Sequence, residues 1–403
     1  MRVRRFMHCW ILVHFFVAIT SAQVPDPQQD IPVRAPETAT ANINTFSAAT
    51  WFARVRNLRH RLSERGASGS LLMTNDWSID ARGGGQPGES FDRCLIDLSV
   101  ALDTHKLLGW EGGSALFRMH SYQGENGSAR VGDAQGFSNI DDVAHTLLYE
   151  LWFEQRIPRT NWRARVGKID ANALFATVES GVDFLNSSMG YSPTILKLPT
   201  YPNPRLGGNV LYDNGRFNAE FGVYDADGRG SLVLLEGGRR FSFADDSHTR
   251  SALGIWQLRT SLPSCDDVHS ITTGLYAVQE FNLRLRPAAA GLSESRLVAF
   301  VQYGHANPQI STFANHVGAG VVWPFAFGRP DDSIGAGVTL VTFGHCPGAS
   351  FDYATETAIE FYYKIRINRI LNLSPDTQFI HHPGGIRGYS DALVFTPRLT
   401  LTF

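Results

Sequence analysis

Apolar and charged side chains alternate along Thr355–Ile367, and this alternation restricts the folds that are open to the chain. Successive side chains of an extended strand point to opposite faces, so Ile359 and Phe361 share one face. Glu360 and Lys364 share the other face. A buried unpaired charge is very costly, so such a face is hard to satisfy in the dry core of a β-sandwich. A water-filled interior surrounded by lipid accommodates both faces.

Two stretches nearer the amino terminus, within Ser114–Gln123 and Leu147–Arg156, repeat this alternation. We predict that both are strands with apolar side chains outward and polar side chains inward. The predicted outward side chains are Ala115, Phe117, Met119, Tyr149, Leu151 and Phe153. The predicted inward side chains are Arg118, His120, Tyr122, Glu150, Trp152 and Glu154.

The chain ends on another alternating strand, Leu393–Phe403, in which Leu401 and Phe403 share a face that Thr402 opposes. A strand of about ten residues that finishes on an aromatic residue is typical of outer-membrane barrels, because it matches a tilted span of the bilayer. We therefore predict that Phe403 is an assembly signal, read by a barrel-assembly machinery.

The number of such stretches indicates the width of the sheet. Counting from Ser68 onward gives about 16 strands, an even number that is typical of closed single-chain barrels. A barrel of this width leaves an aqueous channel, whereas a much narrower one fills its interior with side chains. The sequence therefore predicts an all-β fold, a transmembrane antiparallel β-barrel of about 16 strands.

The amino-terminal part of the chain has a different pattern. Residues 1–22 combine three early arginines, a short apolar run and small residues at the end, as in a secretory signal peptide. Residues 23–50 are rich in Pro, Thr, Ala and Gln and predict a flexible leader. Residues 51–66 predict a short amphipathic periplasmic helix, which either plugs one mouth of the barrel or packs on its surface. Residues 67–403 then form the barrel.

Charge and cysteine content exclude several classes of protein. Without the three signal arginines the chain has 33 basic and 38 acidic residues, a balance that argues against a nucleic-acid binder. The mature cysteines, Cys94, Cys265 and Cys346, have neither the number nor the spacing of a disulfide scaffold or a zinc site. The sequence does not decide whether Cys265 and Cys346 form a disulfide bond.

Enzyme motifs are missing from the sequence. It contains neither a GxSxG nucleophile turn nor a GxxxxGK[ST] phosphate loop. His381 and His382 are adjacent in a predicted loop, and neighbours on an extended chain would face opposite sides, so we expect no shared metal ion. We predict no enzyme activity, no cofactor and no metal site.

Several short segments resemble one family of barrels in particular. They are LGWEGG at 108–113, YELWFEQ at 149–155, RVGK at 165–168, FLNSSMG at 184–190, LP at 198–199 followed by YP at 201–202, IEFYY at 359–363, PDTQFI at 375–380 and PGG at 383–385. In order and spacing these segments resemble the carbohydrate-selective porins of the OprB family, over nearly the whole chain. The resemblance implies an outer-membrane porin through which monosaccharides and similar small polar solutes diffuse passively, with outer-membrane lipid around it. The resemblance does not decide between a monomer and a homo-oligomer.

Our candidates for residues that line the lumen all fall on the polar faces of alternating stretches. They are Arg118, His120, Glu150, Trp152, Glu154, Arg163, Arg165, Glu360, Lys364 and Arg366. Arg118 and Glu150 are both expected to face water, so their substitution should change selectivity more than stability. The long connection at 170–190 is expected either to fold inward and narrow the pore or to cover its outer mouth. The alternatives are a general, non-selective diffusion porin and a plugged structural barrel.

Overall fold

The structure, a computed structural model, describes residues 57–243, 246–263, 268–286, 295–345 and 351–403. The predicted signal peptide (1–22), the leader (23–50), the start of the predicted helix, Cys265 and Cys346 lie outside these residues. Residues 57–64 are helical, within the range predicted for the short helix. No helix among the described residues is both long enough and apolar enough to span a bilayer.

Sixteen antiparallel strands form a closed barrel, which confirms the predicted fold. Each strand pairs with its neighbours in sequence, and β1 pairs with β16 to close the sheet. The strands are β1 Ala67–Gly84, β2 Ser90–Asp103, β3 Gly113–Gly124, β4 His145–Arg156, β5 Trp162–Ile169, β6 Arg205–Asp213, β7 Phe217–Asp225, β8 Ser231–Ser242, β9 His248–Pro263, β10 Val268–Arg286, β11 Ser295–Ala306, β12 Phe313–Pro324, β13 Ser333–Phe343, β14 Thr355–Arg366, β15 Leu371–His381 and β16 Ser390–Thr402.

The connections at the two ends of the barrel differ in length. The two longest, residues 125–144 after β3 and 170–204 after β5, lie at one end, while the other end carries short turns and both ends of the strand series. Short turns are periplasmic and long loops extracellular in barrels of this kind, which sets the orientation. Helical turns occur only in connections among the described barrel residues: Thr104–Leu108, Gly127–Val131, Ala171–Ala173, Glu179–Gly181, Ser187–Gly190, Ala326–Gly328 and Pro383–Gly385.

The outer face of the barrel carries exposed apolar side chains, as the alternation predicts. Phe117, Leu151, Ile359, Phe361 and Phe395 are all exposed. Their neighbours in sequence turn toward the interior, where most polar side chains of the strands are found. This separation satisfies a lipid-facing surface and a polar lumen at the same time.

The predicted outward position of Tyr149 is wrong. Arg118 pairs with Glu150 and Met119 with Leu148, so Tyr149 is the extra residue of a β-bulge. The bulge turns the Tyr149 side chain into the barrel, where only 3 % of it is exposed. A bulge shifts the alternation by one residue, and the residue types on either side gave no sign of it.

The prediction that the side chains of His381 and His382 face opposite sides is also wrong. His381 is the last residue of β15, and His382 has a positive φ of 56°. This left-handed backbone brings the two imidazole rings together, with their centroids 3.7 Å apart. The His381 ring also forms a hydrogen bond with Asp391 on the neighbouring strand.

Phe403 lies where the barrel closes, and its deletion should impair assembly more than transport. Its backbone N–H donates to Leu71 O (2.9 Å), and its carbonyl accepts from Leu71 N–H (3.2 Å). We expect the deletion to lower the amount of heat-modifiable barrel in outer membranes, measured by gel mobility before and after boiling. Phe403→Tyr, which retains the aromatic ring, serves as the control. Normal amounts of folded barrel after the deletion would remove Phe403 from the assembly signal.

Candidate functional site: the narrowed lumen

Two long connections fold into the barrel from its extracellular end. We call residues 125–144 the first inserted segment and residues 170–204 the second inserted segment. Four hydrogen bonds join them: Asn139 N–H to Leu185 O (2.7 Å), Asn139 Nδ2–H to Phe184 O (3.3 Å), Ser187 N–H to Gly136 O (2.9 Å) and the Tyr201 hydroxyl to Ile140 O (2.7 Å). The predicted long connection at 170–190 therefore folds inward, and it does so together with a second loop.

Buried carboxylates of the barrel wall hold the second inserted segment. Glu236, Glu280 and Glu360 each point inward from a strand, and each is at most 5 % exposed. They accept backbone N–H groups from the segment: Glu236 from Ala176 (2.8 Å), Glu280 from Ser180 (2.7 Å) and Glu360 from both Leu185 and Asn186 (3.1 Å for the latter). Hydrogen bonds from backbone N–H groups to an ionised carboxylate are among the stronger ones in proteins.

Glu356 holds the first inserted segment in the same way. Its two carboxylate oxygens accept the N–H groups of Ala134 (2.8 Å) and Gln135 (3.0 Å). Gly384 N–H, from the connection between β15 and β16, donates to it as well (2.6 Å). One wall carboxylate thus joins an inserted segment to a neighbouring extracellular loop.

Apolar packing adds to these polar contacts on one side of the barrel. Phe175 and Ile195 of the second inserted segment belong to a buried cluster with Tyr224, Leu234 and Trp256 of the inner wall. A smaller cluster places Phe137 of the first inserted segment against β14, β15 and β16. The inner wall of β7–β11 is therefore covered by protein rather than by water, and the lumen is much narrower than the strand count implies.

A glycine makes room for one of the aromatic rings in this covered wall. Gly254 lies beside Tyr276 on the neighbouring strand, and a β-carbon at Gly254 would come within 2.0 Å of the Tyr276 ring. The Tyr276 hydroxyl donates to Glu236 Oε2 (2.8 Å), the same oxygen that accepts Ala176 N–H. The ring thus supports a carboxylate that holds the second inserted segment.

The wall of β2–β5 carries a charged network around Arg118. The Arg118 guanidinium contacts Asp97 Oδ2 (2.6 Å) and Glu150 Oε2 (3.1 Å), while 31 % of its side chain stays exposed. Glu150 also accepts Trp152 Nε1–H and the backbone N–H of Asp170, each at 3.1 Å. Burial raises the pKa of Asp170 above its usual range, although hydrogen bonding lowers it.

Glu150 therefore does not face water as expected. The residue is 3 % exposed, and its three donors include the first residue of the second inserted segment. Of the pair Arg118 and Glu150, only the arginine remains open to the lumen. Substituting Glu150 would leave buried donors without an acceptor, which costs stability.

Three arginines surround a single carboxylate on β4 and β5. Arg165 contacts Glu154 Oε2 at 2.8 Å, while Arg163 and Arg156 approach Oε1 at 3.8 and 3.9 Å. The Arg165 guanidinium also lies 4.0 Å from the centre of the Trp152 ring, a cation–π contact. Glu154 is buried and the Arg163 side chain is 30 % exposed, so the accessible surface of this cluster is basic.

The three candidates on β14 have different environments. Glu360 is fully buried beneath the second inserted segment, so the structure places it behind the lumen surface rather than on it. Lys364 donates to Asp183 Oδ1 of that segment (2.6 Å) and keeps 32 % of its side chain exposed. Arg366 pairs with Asp331 in a periplasmic turn (3.1 Å) and lies at the rim.

His120 lies inside the barrel but is covered. Its ring stacks on Tyr149 with the centroids 3.7 Å apart, and its Nε2 lies 3.5 Å from Asp97 Oδ2. Only 3 % of His120 is exposed, so it supports the neighbouring side chains rather than the lumen surface.

Asp97, Glu236 and Glu280 belong to this site but are not among the residues predicted from the sequence. Each lies on the inward face of a strand, so alternation alone could have placed them in the interior. Their role as acceptors for inserted backbone could not be predicted, because it depends on where two loops meet the wall. The pattern identifies an inward charge without distinguishing a lining residue from a buried anchor.

Removing the Glu360 carboxylate should release the second inserted segment. Glu360→Ala leaves the N–H groups of Leu185 and Asn186 without their acceptor, at about 1–3 kcal/mol each. We expect a severalfold rise in single-channel conductance and faster protease cleavage within the segment. Glu360→Gln, which keeps one acceptor oxygen, should have a smaller effect. Unchanged conductance of a folded Glu360→Ala barrel would contradict this anchoring role.

Comparison with known proteins agrees with this geometry. The family model described as the carbohydrate-selective porin, OprB family, matches residues 95–278 and 264–403. A high-pH structure of Pseudomonas putida OprB, 18 % identical, superposes with a TM-score of 0.78 over 87 % of this chain and 97 % of that one. A low-pH structure of the same protein, also 18 % identical, gives a TM-score of 0.55 over 87 % of this chain and 96 % of that one.

The search of curated proteins found no match. At 18 % identity, the two structures establish a shared fold and nothing finer. The family model, by contrast, covers well over half of the chain, and this confirms the resemblance found in the sequence. The chain therefore belongs to the OprB family of carbohydrate-selective porins and is a porin of the outer membrane.

Proposed function

We propose that monosaccharides and similarly small polar solutes diffuse passively between the inserted segments and the inner wall formed by β2–β5 and β14. The observation that carries this proposal is the layering of charge on that wall. Arg118, Arg163 and Lys364 are each about a third exposed, while the carboxylates Glu150 and Glu154 lie buried behind the arginines. The accessible layer is therefore rich in fixed hydrogen-bond donors.

This layer suits the chemistry of a sugar. A guanidinium offers several N–H donors in a rigid plane, and the buried carboxylates hold that plane in position. Sugar hydroxyls can exchange their water for these donors, while the Trp152 ring holds the Arg165 guanidinium in place by a cation–π contact. Because the acids neutralise much of the basic charge, the wall favours a neutral polar solute over a strongly charged one. Binding must stay weak for the solute to leave.

The candidates accordingly divide into three groups. Arg118, Trp152, Arg163, Arg165 and Lys364 are proposed to contact the solute. Glu150, Glu154, Glu360 and His120 are proposed to position them or to hold the inserted segments, and Arg366 lies at the periplasmic exit.

Three further expectations belong to the same proposal. The chain acts as a channel and catalyses no reaction. Phe403 is read by the barrel-assembly machinery during insertion, and the barrel works either alone or as a homo-oligomer embedded in outer-membrane lipid. The nearest alternative is a general diffusion porin, which would share the barrel but not the preference for sugars.

Swelling of proteoliposomes tests the proposed function. We expect glucose to enter faster than an uncharged amino acid of similar size and much faster than a disaccharide, because only the monosaccharide both fits and meets the donor layer. Rates that follow size alone would reduce the protein to a general porin. An absence of swelling with protein that is folded in the liposomes would favour a plugged structural barrel.

Substitution of Arg118 tests the donor layer itself. Arg118→Ala should lower the ratio of glucose to amino-acid entry about threefold to tenfold, the effect of losing a hydrogen bond worth about 1 kcal/mol. The heat-modifiable barrel should persist, since the arginine is partly exposed. Arg229→Ala, in an exposed extracellular turn, is the matched control. An unchanged ratio in Arg118→Ala would remove this residue from the sugar path.

A further inference from the structure

A small polar pocket opens on the inner wall below the second inserted segment. It has a volume of about 220 Å³ and lies where β9–β11 approach the periplasmic end of the barrel. Pockets for drug-sized ligands are larger, about 300–1,000 Å³, so this one suits a single small polar molecule. Its lining consists of Glu179, Ser180, His248, Arg250, Glu280, Phe281, Asn282 and Val298.

Arg250 is the built part of this pocket. Its Nη1 donates to Glu280 Oε2 (2.7 Å) and to Thr177 O of the second inserted segment (2.9 Å), and the residue is 7 % exposed. Its Nε–H is buried and finds no hydrogen-bond partner among the described residues. A buried guanidinium donor without an acceptor is costly, so a ligand oxygen at this position would be stabilising.

Glu179 supplies an acceptor beside Arg250. Its side chain is 62 % exposed, and it lies 3.8 Å from Arg250 Nε and 3.9 Å from Arg240 Nη2. Both separations exceed a hydrogen bond, so the carboxylate stays available to a ligand while remaining close to two cations. An exposed acceptor thus lies close to an unpaired donor, and both residues line one small pocket.

We propose that this pocket is a binding subsite for one neutral monosaccharide on the periplasmic side of the inserted segments. The inference rests on the proposed function and extends it to a second location. One sugar hydroxyl accepts from Arg250 Nε–H, and the hydroxyl on the next carbon donates to the Glu179 carboxylate. Val298 offers apolar contact to the ring, and Asn282 and His248 border the remaining hydroxyls.

The chemistry of the pocket selects for paired hydroxyls. A vicinal diol meets the donor and the acceptor with two adjacent hydroxyls, whereas a simple alcohol has a single oxygen to serve both. The size of the pocket favours a single ring over a disaccharide. A solute that has passed the inserted segments is thereby held briefly before it enters the periplasm.

Block of ion current by glucose in planar bilayers tests this subsite. Wild-type channels should show saturable block, and Glu179→Gln should raise the half-blocking glucose concentration at least fivefold, because a hydrogen bond to a charged group is lost. Among the described residues, Glu179 has only two ion pairs longer than a hydrogen bond, with Arg240 and Arg250. Glu111→Gln, an exposed carboxylate in a periplasmic turn, should leave the half-blocking concentration unchanged.

A second variant fills the pocket instead of altering its charge. Val298→Phe should weaken the block by glucose while salt conductance stays close to that of the wild type. Unchanged glucose block in both Glu179→Gln and Val298→Phe would overturn the subsite, as would wild-type channels that pass glucose without any block. Failure of wild-type proteoliposomes to admit glucose would instead contradict the proposed function.

Discussion

Hydrogen bonds from inserted backbone to buried wall carboxylates are the interaction on which the lumen of this barrel depends. Glu236, Glu280, Glu356 and Glu360 project inward from β8, β10 and β14, and each accepts N–H groups from a loop that has entered the barrel. The backbone N–H groups of an irregular segment inside a barrel need hydrogen-bond acceptors, since each buried unsatisfied group costs about 1–3 kcal/mol. The wall glutamates provide these acceptors.

The same arrangement explains why a wide barrel gives a narrow passage. The second inserted segment packs its apolar side chains against the inner wall of β7–β11. Tyr224, Leu234 and Trp256 on this part of the wall therefore contact protein, whereas the inner wall of a simple pore contacts water. The remaining polar wall, with Arg118, Arg163 and Lys364 at its surface, is left for solute. The polar anchors and the apolar cluster thus divide the interior into a covered and an open side.

Sequence reasoning reached the barrel because alternation is a local property. On β14 and β16, lipid and lumen impose opposite demands on successive residues. The prediction is wrong at Tyr149, where a single bulged residue turns the side chain from the outer to the inner face of the barrel. It also could not separate Glu360, buried beneath a loop, from Lys364 on the same face, since the difference arises from the path of a segment far away in sequence. Local patterns fix which face a residue takes, while long-range contacts fix whether it meets water.

The position of the inserted segments also relates selectivity to stability. Glu150 contributes to both, because it orients Arg118 toward the lumen and accepts the N–H of Asp170 at the start of the second inserted segment. Arg118 and Lys364 are tied to carboxylates in turn, so the donors at the surface are held rather than mobile. A sugar therefore meets a preorganised layer, and little ordering accompanies its weak binding.

The most direct measurement is the ratio of glucose to maltose entry in proteoliposomes for the wild type and for a variant in which a short Gly-Ser turn replaces residues 171–203. Ile169 and Arg205 are register partners on neighbouring strands, so a short turn can join β5 to β6 without the second inserted segment. We expect the wild type to prefer glucose strongly and the shortened barrel to admit both sugars at similar rates. An equal preference for glucose in both folded barrels would contradict the claim that the anchored segment sets the passage.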